Sequence, residues 1–127
     1  MAETKKRVLV VDDEPDVREY LTALLEDNDF EVVTAEDGAE ALAAVQAKAP
    51  DIITLDITMP EKSGVRFYRD LRENEALKHI PVIMVTGISN DFEKFISSRK
   101  QVPPPEGYMS KPIDRDKILK MIEELTS

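Results

Sequence analysis

The chain alternates short, continuous apolar runs with longer segments in which apolar residues recur every three or four positions. The runs are typical of strands buried on both faces, and the recurring positions mark one face of a helix. The predicted strands are residues 7–13, where RVLVV precedes two aspartates, 30–35, 52–56, 81–86 and 107–110. The predicted helices are a segment from Pro15 to near Asn28, one capped by Asp37 and Glu40, one near 63–73, one marked by Phe92, Phe95 and Ile96, and one capped by Asp114.

This order of elements predicts an α/β fold. Parallel strands need crossover connections, so we expect a sheet of five parallel strands with five helices on its two faces. The fifth strand has to come from residues 107–110, downstream of three consecutive prolines at 103–105. These prolines therefore do not end the domain. We expect a single domain over residues 1–127, with a core from about residue 6 to about residue 125.

Composition narrows the classes of function. The chain has no cysteine, which excludes a disulfide framework and a thiolate metal site and is consistent with the cytoplasm, where we expect the protein. The formal net charge of −9 argues against nucleic-acid binding, and no apolar run is long enough to span a membrane. Residues 1–60 carry 5 basic and 15 acidic residues, which either a solvated surface or a cation site explains.

Chemically active residue types stand at the ends of four predicted strands. Asp12 and Asp13 close the first segment, Asp56 ends the third, Thr86 ends the fourth, and Lys111 follows the fifth. Ligands of open parallel sheets bind at the carboxyl ends of the strands, so we expect these side chains to meet. Carboxylates this close repel one another unless a cation lies among them, which indicates Mg²⁺.

A phosphate group would suit the remaining two side chains. Lysine supplies a positive charge, and threonine supplies a neutral hydrogen bond to a transferring phosphoryl group. Each residue alone also has an ordinary explanation: a helix cap for Asp12 and Asp13, a turn for Asp56, and an exposed lysine. It is the joint pattern that favours a site.

Four segments resemble the signatures of a known family. VLVVDDEP, LDITMPEKSG, MVTG and YMSKPI, in this order, resemble the receiver domain of two-component response regulators, of the chemotaxis-regulator-like kind. The resemblance covers nearly the whole chain. It implies a doubly wound sheet of flavodoxin-like strand order 2-1-3-4-5. It also implies phosphorelay signalling, in which a phosphoryl group passes from a partner's phosphohistidine to an aspartate in a Mg²⁺-dependent reaction.

The resemblance assigns roles to the acidic residues. Asp56 would accept the phosphoryl group as an acyl phosphate. Mg²⁺, or Mn²⁺ in its place, would be bound directly by Asp13 and Asp56 and mainly through water by Asp12. The backbone carbonyl of Thr58 would be a further metal ligand.

Three residues would respond to the phosphoryl group. Lys111 would pair with Asp56 before phosphorylation and with the phosphoryl group afterwards, and the Lys111–Pro112 peptide bond would be cis. Thr86 would hydrogen-bond a phosphoryl oxygen. Tyr108 would turn into the space that Thr86 vacates, although an aromatic ring in a short strand is also explained by packing.

The partners implied are a sensor histidine kinase or a histidine phosphotransfer protein and, if the chain is complete, a downstream protein target. We expect no direct contact with nucleic acid or membrane, and either a monomer or a phosphorylation-dependent dimer. The protein would not be an enzyme, because it would assist only its own phosphorylation and dephosphorylation. One alternative is a phosphorylation-independent scaffold or binding module, which should lack a key residue. The other is an aspartyl phosphatase, which should have a carboxylate where this chain has Thr58.

The chain departs from the family pattern after the fourth strand. Gly87 stands where alanine is usual, and SSRKQVPPPEG replaces the usual end of the fourth helix. Prolines 103–105 should shorten that helix and stiffen the loop behind it. They are our candidate for partner specificity.

Two further expectations concern the surface. His79 should face solvent in a loop. Arg66, Arg69 and Arg72 should form a basic stripe along one helix, which either solvation or a partner explains.

Overall fold

A computed structural model describes residues 5–57, 63–86 and 105–126, apart from the side chains of Ser63 and Thr86. Its strands are β1 (Arg7–Val11), β2 (Glu31–Ala35), β3 (Ile52–Asp56), β4 (Val82–Thr86) and β5 (Gly107–Ser110). The helices of the described ranges are α1 (Pro15–Glu26), α2 (Gly38–Ala47), α3 (Ser63–Glu73) and α4 (Arg115–Thr126). The predicted helix at Phe92 to Ile96 lies outside those ranges, as do Gly87, Pro103 and Pro104. None of the helices described is long and apolar enough to cross a membrane.

The strands form one parallel sheet in the order β2-β1-β3-β4-β5, which confirms the predicted fold class. The bounds of β3 and β5 are those predicted. β1 ends two residues earlier than predicted, β4 begins one residue later, and β2 also begins one residue later than its apolar run. The reason lies at Phe30, whose N–H donates to the carbonyl oxygen of Leu25 at the end of α1, 3.0 Å away, and so does not pair with a strand. Its side chain is nevertheless buried.

Alternate residues of the central strands face opposite sides of the sheet. Leu9, Ile53 and Met84 belong to a core that includes residues of α2 and α3. Val10 and Ile83 belong to a second core, which includes residues of α1 and α4. Burial on both sides explains why the strands are apolar throughout rather than alternately polar.

The predicted helix caps at Asp37 and Asp114 are confirmed. The Asp37 carboxylate accepts a hydrogen bond from the Glu40 N–H at 2.8 Å, and Asp114 accepts one from the Lys117 N–H at 3.0 Å. Such caps satisfy amides that have no partner within the helix. At the start of α1, by contrast, Glu14 occupies the cap position without making a side-chain cap.

The predicted basic stripe on α3 is wrong for Arg72, whose side chain is only 3% exposed. Successive steps of three residues each fall short of a full helical turn, so Arg72 points about 120° away from Arg66. Its guanidinium donates to the carbonyl oxygens of Lys78 and Ile80 at 2.9 and 2.7 Å. It also pairs with Glu106, which lies just before β5, at 2.6 Å. Arg72 therefore joins α3, the segment before β4 and the segment before β5. His79, in contrast, is exposed as predicted.

Candidate functional site

The sheet register brings two predicted site residues to the same edge. Val11 of β1 pairs with Leu55 of β3, so the next residues along each strand, Asp12 and Asp56, come side by side. Both follow the alternation that places Val10 toward α1 and α4. The side chains of Asp12 and Asp56 are 3% and 1% exposed. Two buried carboxylates thus face each other at the carboxyl end of the sheet.

The turn that leads into α1 holds Asp12 in place. Its Oδ1 accepts a hydrogen bond from the Glu14 N–H at 2.9 Å, and its carbonyl oxygen accepts one from the Arg18 guanidinium at 2.7 Å. Burial raises the pKa of the Asp12 carboxyl above its ordinary value, and the charge of Asp56 acts in the same direction. The Glu14 N–H and Lys111 oppose this rise. The charged form of Asp12 is therefore disfavoured unless positive charge lies close to it.

Lys111 supplies that charge from the far side of the site. It directly follows β5, where Ser110 pairs with Thr86 of β4. Its Nζ lies 3.1 Å from Asp12 Oδ2 and 3.3 Å from Asp56 Oδ2. The Lys111–Pro112 peptide bond is cis, as the resemblance implied.

A third carboxylate contacts the same ammonium group. Glu14 Oε1 lies 2.8 Å from Lys111 Nζ, which makes it the shortest of the three ion pairs. Burial alone would lower the pKa of Lys111, but the hydrogen bonds to Glu14 and Asp12 and the charge of Asp56 raise it above its ordinary value. Lys111 is therefore a permanent cation in this site.

The oxygen atoms at this edge suit a hard cation. Asp12, Asp13, Glu14 and Asp56 each offer a carboxylate oxygen, and these oxygens all lie within 4.8 Å of one another. Asp12 and Asp56 are buried, whereas Asp13 and Glu14 are exposed. Mg²⁺ prefers oxygen ligands and retains water, so a site with one buried and one open side fits it.

Gly64, near the start of α3, allows the helix to approach this site closely. A side chain there would run into the backbone carbonyl oxygen of Asp56 and come within 3.1 Å of the Ile57 Cα. Because the obstacle is backbone, it has little freedom to move. Glycine at this position therefore lets α3 pack directly behind the end of β3.

The remaining predicted residues are placed only in part. Thr58 lies outside the described residues, so its predicted role as a metal ligand remains a prediction. Thr86 ends β4 beside Ser110, but its side chain is not among those described. Tyr108 lies in β5 with 59% of its surface exposed.

Sequence reasoning missed Glu14 and Arg18 as members of this site. Glu14 directly precedes Pro15, the first residue of α1, and an acidic residue there is ordinarily explained by the helix dipole. Arg18 is one of several charged residues on α1. Only the position of Lys111, which is 97 residues away from Glu14 along the chain, distinguishes Glu14 from a cap.

Known proteins resemble this chain in sequence and fold. The family model of the response regulator receiver domain matches residues 8–123. Protein PilH of Pseudomonas aeruginosa is 34% identical over 116 residues, which cover 91% of this chain and 93% of PilH. The chemotaxis response regulator CheY4 of Vibrio cholerae has a TM-score of 0.83 at 33% identity, covering 96% of this chain and 99% of CheY4.

A second similar structure was solved as a complex. The response regulator protein TrrA of Thermotoga maritima, solved in complex with Mg(2+)-BeF, has a TM-score of 0.81 at 33% identity. The match covers 94% of this chain and 98% of TrrA. By sequence, strand order and fold, this chain belongs to the receiver domain family of two-component response regulators.

Proposed function

We propose that this receiver accepts a phosphoryl group on Asp56 from a phosphohistidine of a sensor histidine kinase or a histidine phosphotransfer protein, and that its output surface changes as a result. The observation that carries the proposal is the environment of Asp56. Its carboxylate is 1% exposed, lies 3.3 Å from the Lys111 ammonium, and stands beside a second buried carboxylate. A buried nucleophile with a permanently charged cation at its side is suited to phosphoryl transfer.

The chemical step needs little from the protein beyond position and charge. A carboxylate oxygen of Asp56 attacks phosphorus in line with the leaving nitrogen, so that a phosphorus–oxygen bond forms as the phosphorus–nitrogen bond breaks. The product is an acyl phosphate on Asp56 and a free imidazole on the donor. Lys111 then moves its hydrogen bond from the Asp56 carboxylate to a phosphoryl oxygen.

Mg²⁺ is the cation that we assign to the acidic cluster, with Asp13 and Asp56 as direct ligands, Asp12 mainly through water, and the Thr58 carbonyl as a further ligand. When bound, the ion reduces the repulsion between the carboxylates and the incoming phosphoryl group. The cluster geometry and the complex of TrrA with Mg(2+)-BeF support this choice. Mn²⁺ prefers the same oxygen ligands and is the alternative.

We assign the structural response to phosphorylation to Thr86 and Tyr108. The Thr86 hydroxyl would donate a hydrogen bond to a phosphoryl oxygen, and the Tyr108 ring would turn from its exposed position into the space that this movement opens. The two residues lie on neighbouring strands, where Met84 pairs with Tyr108 and Thr86 with Ser110. Such a switch is a two-state equilibrium that the phosphoryl group shifts by binding one state more strongly.

The output of the receiver would pass to another protein through the face that contains β5. Prolines 103–105 remain our candidate for the specificity of that contact. We place the protein in the cytoplasm, for which the lack of cysteine is suitable. The protein would act as a monomer or as a phosphorylation-dependent dimer.

Phosphoryl uptake tests the proposal directly. The protein is incubated with acetyl phosphate and Mg²⁺, and its intact mass is measured. We expect the mass of one added phosphoryl group in the wild type and none in Asp56→Asn or after removal of divalent metal. An adduct that persists in Asp56→Asn would refute Asp56 as the acceptor. No adduct in the wild type would favour a phosphorylation-independent scaffold.

A further inference from the structure

The ammonium group of Lys111 has three hydrogens and three carboxylate partners. Its Nζ lies 2.8 Å from Glu14, 3.1 Å from Asp12 and 3.3 Å from Asp56. A lysine has three donors and no acceptor. All of its hydrogen-bonding capacity is therefore used in this state of the protein.

These three partners differ in how easily they can be released. The Asp12 and Asp56 side chains are 3% and 1% exposed, whereas Glu14 is 60% exposed. Asp12 is also held by the Glu14 N–H. A buried carboxylate that loses a cation has no water to replace it, but an exposed one is solvated as it leaves. Glu14 is thus the partner that Lys111 can give up most readily.

The Glu14 side chain also has no role in capping its own helix. It stands at the cap position of α1, yet its side chain does not cap the helix. The side chain reaches instead to Lys111, which is only 16% exposed and which contacts the proposed phosphoacceptor. An isolated surface ion pair usually contributes little. This one bears on the reaction because its cation is the group that must move.

We propose that Glu14 is a positioning residue that acts through Lys111 and restrains phosphorylation. It holds the ammonium group in the unphosphorylated state, and this contact has to break when Lys111 moves its hydrogen bond from the Asp56 carboxylate to a phosphoryl oxygen. The inference rests on the proposed function and deepens it, because the strength of the Glu14 pair then contributes to the barrier of the transfer step.

The test compares the rates of phosphorylation by acetyl phosphate at saturating Mg²⁺, measured by intact mass. Glu14→Gln keeps the shape of the side chain and removes its charge. It should increase the rate about two- to fivefold, the range expected when one exposed ion pair no longer has to be broken. Glu14→Ala should act in the same direction. Glu19→Gln is the matched control, since Glu19 is an exposed acidic residue of α1, and it should leave the rate unchanged.

A double-mutant cycle with Lys111→Ala shows whether the effect passes through Lys111. In the Lys111→Ala background, which should be slow, Glu14→Gln should have no further effect. An increase that persists there would overturn the inference, because it would come from weaker repulsion of the anionic donor.

Two other results would also overturn it. An unchanged rate in Glu14→Gln, with the fold intact by circular dichroism, would show that the pair does not restrain the reaction. A slower rate with a higher Mg²⁺ requirement would show that Glu14 is a metal ligand. Failure of the wild type to incorporate phosphate would instead refute the proposed function, and the inference with it.

Discussion

The charge balance around Lys111 decides which states of the site are stable. One ammonium group faces carboxylates of Asp12, Glu14 and Asp56 within 3.3 Å, so the site retains excess negative charge. A divalent cation would offset this excess, and a phosphoryl group would add to it. Cation binding and phosphorylation should therefore be coupled, and each should favour the other.

Tyr108 gives the residue-scale prediction. In the unphosphorylated protein, 59% of its surface is exposed, against 44% for Tyr20 and 0% for Tyr68. Photo-CIDNP NMR, which detects tyrosines accessible to a dye, should show signals from Tyr108 and Tyr20 and none from Tyr68. Addition of Mg²⁺ and beryllofluoride, a mimic of the phosphoryl group, should reduce the Tyr108 signal because the ring turns inward.

The other tyrosines serve as controls in the same spectrum. Tyr20 lies on α1 and should keep its signal, and Tyr20→Phe assigns it. A Tyr108 signal that does not change with beryllofluoride would contradict the switch and favour a fixed packing role for the ring.

The sequence predicts which charged residues lie together where their residue type and their position at a strand end allow few roles. Asp12, Asp56 and Lys111 were identified as neighbours because acidic and basic side chains at strand ends converge on one edge, and their distances confirm it. Glu14 was missed because its exposed position before α1 has an ordinary explanation. Its contact depends on where a residue 97 positions away along the chain is placed.

At the scale of elements, the approach of α3 to β3 makes Gly64 sensitive to substitution. In Gly64→Ala the new methyl group would collide with the backbone at Asp56. In Gly107→Ala it would press against the terminal methyl of Met121 and make ordinary van der Waals contact with Ile83. Gly64→Ala should lower the free energy of unfolding by about 1–3 kcal/mol and slow phosphorylation, since the end of β3 has to shift. Gly107→Ala should cost less, because a methionine side chain adapts.

Urea denaturation and the acetyl phosphate assay measure both effects. Equal losses of stability in the two variants would contradict this account of the contact between α3 and β3. So would normal phosphorylation in Gly64→Ala.

The connection between α3 and β5 depends on Arg72. Glu106 Oε1 accepts hydrogen bonds from the Arg72 guanidinium at 2.6 Å and from the Val82 N–H at 2.7 Å. The Tyr68 hydroxyl accepts a further hydrogen bond from the Arg72 guanidinium at 3.1 Å. Burial raises the pKa of this phenol, so it stays neutral. Removal of Glu106 would leave a half-buried network without its anion.

Glu106→Ala should therefore lower the free energy of unfolding by about 1–3 kcal/mol. The matched control is Glu75→Ala, which breaks an exposed pair with Lys78 that is 2.9 Å long, and it should change stability by less than about 0.5 kcal/mol. Thermal or urea unfolding distinguishes the two. A Glu106→Ala variant as stable as Glu75→Ala would show that the Arg72 network is not needed for the fold.

The order of the strands along the chain could be predicted for a physical reason. Strands buried on both faces consist of uninterrupted apolar runs, so the sequence shows where each strand lies. The ends of a strand depend on its backbone hydrogen bonds, which the sequence does not show, as at Phe30. Arg72 shows why the exposed face of a helix is harder to predict. Its spacing suggested an exposed stripe, but the sequence does not show that Glu106 and two carbonyl oxygens would surround it.

At the scale of the whole molecule, the site forms only when the strands of the sheet are paired. Asp12 follows β1, Asp56 ends β3, and Lys111 follows β5. Asp12 and Lys111, 99 positions apart along the chain, therefore meet only in the folded state. The acidic excess of residues 1–60 contributes the carboxylates, and the more basic remainder contributes the cation. Phosphorylation at one point can thus affect several strands at once.

Location of the phosphoryl group tests this account most directly. After incubation with acetyl phosphate and Mg²⁺, sodium borohydride converts an aspartyl phosphate to homoserine, which peptide mapping by mass spectrometry identifies at a single position. We predict homoserine at Asp56, dependent on both phosphodonor and metal. Homoserine at Asp12 or Asp13, or a phosphoryl group retained on His79, would contradict the account.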